Sequence, residues 1–116
     1  MGYKFQKLEV YQIALDYLDG IYSFLDKLPD FERFNLKDQL RRSGTSIVLN
    51  ISEGSTSRSD LEQKRFLNIA VGSFLETVAC LDIIERRNYL TKDEIKPMRK
   101  LGDKLFAKLQ AFRSAL

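Results

Sequence analysis

The stretch Gln39–Glu76, QLRRSGTSIVLNISEGSTSRSDLEQKRFLNIAVGSFLE, decides how this chain folds. It reads as two helical patterns joined by a short polar connection. In the first, Leu40, Gly44, Ile47 and Ile51 recur at spacings of four, three and four, one face of a helix. Asn35 stands as N-cap before Leu36, and Gly54 fits the left-handed position that commonly ends helices. A Ser/Thr-rich loop, Ser55–Ser59, follows. The next helix opens on Ser59-Asp60-Leu61-Glu62, the spacing of a capping box, and runs to about Arg87 before Asn88.

Working outward, the N-terminal pattern spans about Lys7 to Leu28. Tyr11, Ala14, Leu18, Ile21, Leu25 and Leu28 form a coiled-coil-like seam that Leu15, Tyr22 and Phe24 widen. Pro29 stops it. The C-terminal helix follows Thr91, where Thr-Lys-Asp-Glu makes a second capping box. Its seam is Ile95, Met98, Leu101, Leu105, Leu109, Phe112 and Leu116. Pro97 falls inside it, and one helix kinked at Pro97 is expected rather than a fresh start near Lys96. The connections are short, which makes sequential helices antiparallel neighbours. The expected fold is all-α, an up-down-up-down four-helix bundle forming one domain over residues 1–116.

Composition narrows the function classes. The 116 residues suit one domain with a real core. No run approaches the ~20 apolar residues of a transmembrane helix, since Phe66–Ile84 is interrupted by Asn68, Ser73, Glu76, Thr77 and Asp82. MGYKFQKLEVYQ lacks the apolar core of a signal peptide, and Gln6 stands where a myristoylation motif wants Ser or Thr. A cytoplasmic location is the default. Cys80 is the sole cysteine and there is no histidine. The commonest general base and metal ligand are therefore missing, and no Cys/His zinc site can be built. No metal or other cofactor is expected.

The third helix is too apolar for one contact. Phe66, Leu67, Ala70, Phe74, Val78 and Leu81 form one side, Val71, Leu75 and Ala79 extend it, and Ile69, Ile83 and Ile84 lie further round. Part of it is expected to bury between subunits of a homo-oligomer. The alternative is cover from Phe24 and Tyr22 within the chain. Gly20, Gly44, Gly72 and Gly102 stand inside helices, and close approach of the second and third helices would compensate at Gly44.

These residues carry a resemblance. Lys7-Leu8-Glu9-Val10-Tyr11, Gln39-Leu40-Arg41-Arg42-Ser43, Ser46-Ile47, Asn50-Ile51-Ser52-Glu53-Gly54, Phe66-Leu67, Ile69-Ala70, Gly72-Ser73, Glu76 and Tyr89-Leu90 together resemble the 23S rRNA-intervening-sequence proteins. The Asn-Ile-x-Glu-Gly step after an arginine pair is the more specific part. Ser52 stands where that family commonly has alanine. The resemblance implies an antiparallel four-helix bundle assembled into a ring-like homopentamer, without enzymatic activity. It is also similar to accessory proteins of diversity-generating retroelements, which work with a reverse transcriptase and RNA. Nucleic acid and a protein partner are thus both candidate partners; a membrane is not.

Formal charge is +3, unevenly spread. Met1–Asp30 holds three lysines against five acids, whereas Arg86–Lys108 holds eight basic residues against Asp93, Glu94 and Asp103. Lys92, Lys96, Lys100, Lys104 and Lys108 recur every fourth residue, roughly opposite the apolar seam, with Arg99 beside them. This row reads either as a phosphate-backbone surface or as a solvated face. Arg41 and Arg42 read either as further phosphate contacts or as ion-pair partners of Glu53, Glu62 or Glu76. Glu76, among apolar neighbours, is expected to be held by an arginine or by Asn50 and Ser73, within or between chains. Asn50, Glu53, Ser73 and Glu76 are expected to form a structural polar network. No catalytic residue is assigned: Ser59 reads as a cap with no base beside it, and Glu53 has no second acid–base member. The glycines match neither a P-loop nor a dinucleotide fingerprint. Aromatic residues sit mostly at core spacing, so base stacking is not expected.

Overall fold

The protein, described here from a computed structural model covering residues 2–57 and 59–116, is built from four α-helices. They are α1 (Glu9–Leu25), α2 (Leu36–Thr56), α3 (Asp60–Arg86) and α4 (Lys92–Ser114). Single 3-10 turns at Lys4–Lys7 and Asp30–Glu32 precede α1 and α2. There are no strands among the described residues. Each helix packs on those before and after it in the chain, and α4 closes the ring against α1. This is the expected antiparallel four-helix bundle, measuring 43 × 28 × 25 Å.

The helix boundaries follow local chemistry. α1 begins later than the expected Lys7 because Leu8 is extended at the start. At the other end the backbone turns before Pro29, which disfavours helix in the residue preceding it. Leu28 stays buried beyond the helix end. The Ser59 hydroxyl accepts the Glu62 amide at the start of α3. At its far end Asn88 takes φ of 60°, and the amides of Asn88 and Tyr89 bond the carbonyls of Glu85 and Ile84. That double closure is the turn glycine usually makes, here made by asparagine. α4 opens on a complete capping box. The Thr91 hydroxyl accepts the Glu94 amide at 3.1 Å, and the Glu94 carboxylate accepts the Thr91 amide at 3.0 Å. The helix then runs through Pro97 without a break in the assignment.

Several expectations need correction. Gly54 does not end α2, since no described glycine has positive φ, and the helix continues to Thr56. A methyl group on Gly54 would lie 3.4 Å from Leu67 and Phe66, so the residue serves the α2–α3 approach. The ending itself comes from hydroxyls: Ser52, Ser55, Thr56 and Ser57 each donate back to a carbonyl three or four residues earlier. Gly44 faces α1, not α3: an added methyl would collide with Ile21 and Leu18. Asn35 precedes α2 but its side chain donates to Glu32 instead of capping. Arg58, within the expected loop, lies outside the described residues. α3 is, by length and composition, apolar enough to cross a membrane, contrary to the reading that no segment comes close. Half of its most apolar stretch is buried in the bundle, as core helices can be.

One hydrophobic core runs through all four helices. Tyr17, Ile21, Leu40, Ile47, Leu81 and Leu105 are almost wholly enclosed. Tyr17 of α1 and Phe74 of α3 meet across the ring, and Phe74 stacks on Phe106 of α4. Gly102 leaves the room this needs, as a methyl there would press within 3.3 Å of both rings.

Candidate nucleic-acid interface

α4 buries Ile95, Met98, Gly102, Leu105 and Leu109, so its opposite side faces water. The five lysines at every fourth position wind slowly round that wet side. Lys92, Lys96, Lys100 and Lys104 are exposed and, among the described residues, make no ion pair. Lys108 differs: it is half-buried and holds Glu9 of α1 at 3.1 Å. Arg99 differs more. It reaches Asp82 at 3.0 Å and Glu85 at 3.4 Å, tying α4 to α3. Arg99 is thus a strut between helices, and four lysines remain as freely presented charge.

Arg41 and Arg42 both share Asp38, at 3.3 and 3.5 Å. Neither pairs with Glu53, Glu62 or Glu76, because the aspartate one turn earlier is within easier reach. Both guanidinium groups remain exposed.

The polar network between α2 and α3 centres on a residue the sequence reading did not single out. Ser46 accepts the Ser73 hydroxyl at 2.8 Å and the Asn50 amide at 3.0 Å. One turn toward the N-terminus of α2, Ser43 and Thr77 share a hydrogen bond of 2.7 Å, both buried. Glu53 enters only through its backbone carbonyl, and its carboxylate is exposed. Glu76 is exposed too, with no hydrogen bond or ion pair among the described residues. Within the chain, then, the Glu76 carboxylate is neither buried nor held. Glu76 lies round the helix from Thr77, which takes the buried position. It lines a 390 Å³ groove with Arg42, Ser46 and Ser73 but ends short of the arginine. The pattern of serines every three or four residues, Ser43, Ser46 and Asn50 opposite Ser73 and Thr77, was the available signal for this seam.

Two buried groups are chemically quiet. Burial, and then the charge of nearby Glu76, pushes the Cys80 thiol up to about 11. Burial also raises Tyr17 well above the ordinary phenol value, and its hydroxyl is buried without a hydrogen-bond partner. Tyr17 lines a 330 Å³ cleft between α3 and α4 with Phe74, Val78, Phe106 and Arg99. No group of three or more potential metal ligands gathers among the described residues.

The outward side of α3 carries a different chemistry. Leu61, Ile69, Leu75 and Ile83 are 42 to 81% exposed, and Gly72 stands among them with open space where a methyl would be. Tyr22, one of the two residues that could have covered α3 from within, is half exposed; Phe24 is buried.

Comparison with known proteins agrees with this architecture. The family model described as 23S rRNA-intervening sequence protein matches residues 6–111. A crystal structure of a protein of unknown function from the S23 ribosomal protein family of Bacteroides thetaiotaomicron superposes with a TM-score of 0.83 at 25% identity. The match covers 90% of this chain and 95% of that one. No curated protein matches the chain.

Proposed function

The chain belongs to the 23S rRNA-intervening sequence protein family, and from that premise we propose that it is a non-enzymatic, RNA-directed protein of the cytoplasm. It acts as a homo-oligomer, a ring of five, and holds phosphate backbone through its basic α4 face. The observation that carries this reading is the row Lys92, Lys96, Lys100 and Lys104, exposed and free of ion pairs among the described residues. Their ammonium groups are point charges on flexible stems, which suits sequence-independent phosphate contact rather than base reading. Assembly repeats the row in every subunit and adds the fields. The α3 outer face supports assembly: four large exposed apolar side chains and an uncrowded glycine stand on one side of the helix, with Arg65, Asn68 and Glu76 between them.

The test is the double substitution Lys100→Glu with Lys104→Glu, measured by RNA binding across a salt series. Affinity is expected to fall, and the slope of log affinity against log salt to flatten by about 1.5 to 2. Unchanged affinity sinks the proposed surface.

A second reading draws on the same apolar strip of α3. In it the protein is a scaffold for a nucleic-acid enzyme such as a reverse transcriptase, without touching RNA itself. Recovery of a stoichiometric protein partner after nuclease treatment, with no RNA affinity at low salt, would favour it over the first.

A further inference from the structure

The end of the bundle where α1 passes to α2 and α3 to α4 exposes two large aromatic rings. Phe31 is 74% and Phe34 87% exposed, on a loop of only a few residues. Apolar rings held this far into water are costly unless something covers them. The loop is not loose. The backbone turns through Asp30–Glu32, with the amides of Glu32, Arg33 and Asn35 each bonding a carbonyl three residues back. Phe31 stands in this turn and Phe34 three residues on, just beyond it. Below them Glu32 is buried, accepting the Tyr89 hydroxyl at 2.8 Å and the Asn35 amide at 3.3 Å. Tyr89 meets Phe31 edge-on, with centroids 6.2 Å apart. The rings are therefore presented by an anchored platform that spans both connections.

Charge decides what fits there. The acids in or beside this platform are largely engaged: Glu32 with Tyr89 and Asn35, Asp30 with Lys37 at 3.7 Å, and Glu94 in its cap. Asp26, just past the end of α1, and Asp93, in the first turn of α4, are exposed at this same end and are outnumbered by its cations. Arg33, Arg86, Arg87 and Lys92 are exposed and make no ion pair among the described residues. Arg33 lies over the Phe34 ring at 5.2 Å, and Arg87 is close enough to the Tyr89 hydroxyl, and then to Glu32, to be raised further above its usual value. Exposed rings beside guanidinium groups that make no ion pair match unpaired bases strung on phosphate: rings stack the bases and arginines take the backbone. Duplex nucleic acid hides its base faces and gives the rings nothing to stack on.

We propose that this end of the bundle is a stacking platform for single-stranded nucleic acid, with Phe31 and Phe34 holding consecutive bases and Arg33 and Arg87 the adjoining phosphates. The inference rests on the RNA-directed reading above and extends it. Lys92 starts the lysine row at this same end, so a strand stacked here continues along α4. It runs against the expectation that the aromatic residues, mostly at core spacing, do not stack on bases.

The full chain has no tryptophan, so Phe34→Trp supplies a single probe. Its emission is expected to quench on adding oligouridine or oligoadenosine, and to stay nearly unchanged with an RNA duplex of equal length. In parallel, Phe31→Ala with Phe34→Ala is expected to weaken single-strand binding about tenfold or more, leaving duplex binding and the salt slope unchanged. Both positions are exposed, and an unchanged helical circular dichroism spectrum verifies that the variants fold. Single-strand affinity equal to that of the unmodified chain overturns the platform while leaving the RNA reading standing. An emission blue-shift with anionic phospholipid vesicles, and no response to RNA, overturns it in favour of a membrane contact. If the unmodified chain binds no RNA at low salt, the broader reading fails and the platform with it.

Discussion

α3 and α4 are neighbours of similar length, and both turn one side outward, yet the two sides have opposite chemistry. The outer face of α4 is lysine at every fourth position, with its acids committed to a cap or spaced between. The outer face of α3 is largely apolar, Leu61, Ile69, Leu75 and Ile83 around Gly72, with Arg65, Asn68 and Glu76 among them. Water solvates the first at little cost. It must order itself around the second, and covering that strip returns free energy in proportion to area. The difference teaches that exposure within one chain has two costs: water solvates a charged strip readily, whereas an apolar strip carries a hydration cost that cover would return.

The strongest way to break this comparison is to charge the dry face. Leu75→Glu with Ile83→Glu is expected to convert the oligomer to monomer in light-scattering mass measurements, with helix content unchanged because both sites are exposed. Lys100→Glu with Lys104→Glu, which reverses the wet face equally, should leave the mass where it was. An oligomer that survives the α3 pair refutes the assignment of that face. Next in size is the inner side of α3. Thr77→Val removes one of the two partners of the buried Ser43 hydroxyl, which keeps the Leu40 carbonyl, and should lower unfolding free energy by about 1 kcal/mol in urea melts. A loss that small or smaller at Ser43→Ala would show the pair is shared rather than one-sided.

Gly72→Ala sharpens the comparison further. Nothing lies within 4 Å of an added methyl, so in a dispersed background the change should stabilise the helix by up to ~1 kcal/mol. In the assembled protein the same methyl should weaken association, and dissociation on dilution measures it. The smallest effect belongs to the cap of α4. Thr91→Ala is expected to cost about 1 kcal/mol. Glu94 is held below the ordinary carboxylate range, first by the Thr91 backbone amide and then by its hydroxyl. Its folded value is below its unfolded one, so the stabilisation is present above the ordinary carboxylate pKa. It is lost as pH falls through the depressed value. Acid melts of the Thr91→Ala variant should show a shallower fall over that window.

Much of this could be read along the chain. Periodicity placed all four helices, because burying one stripe of a helix requires apolar residues at spacings of three and four. Ser59, Asn88 and Thr91 announced their helix ends, since capping involves neighbours within a few residues. Gly54 and Gly44 misled for one reason: a glycine marks either a turn or a close contact, and only the identity of the neighbouring helix distinguishes them. Glu76 has apolar neighbours in sequence, but its own direction, next to buried Thr77, is outward, so it finds no partner within the chain. In the lysine row the spacing was legible, but the losses of Arg99 to Asp82 and Lys108 to Glu9 were not, as each partner lies on another helix. The aromatic platform stayed hidden because Phe31, Phe34 and Tyr89 belong to two separate connections that only the folded ring brings together.

By itself, then, the sequence determined the number of helices, their direction and the family, all of which depend on local spacing and short loops. The tertiary structure decided which charges are free, which glycines mark contacts and which apolar residues are left uncovered. Those are properties of pairs distant in sequence, and a pair has no energy until the fold brings it within a few ångströms.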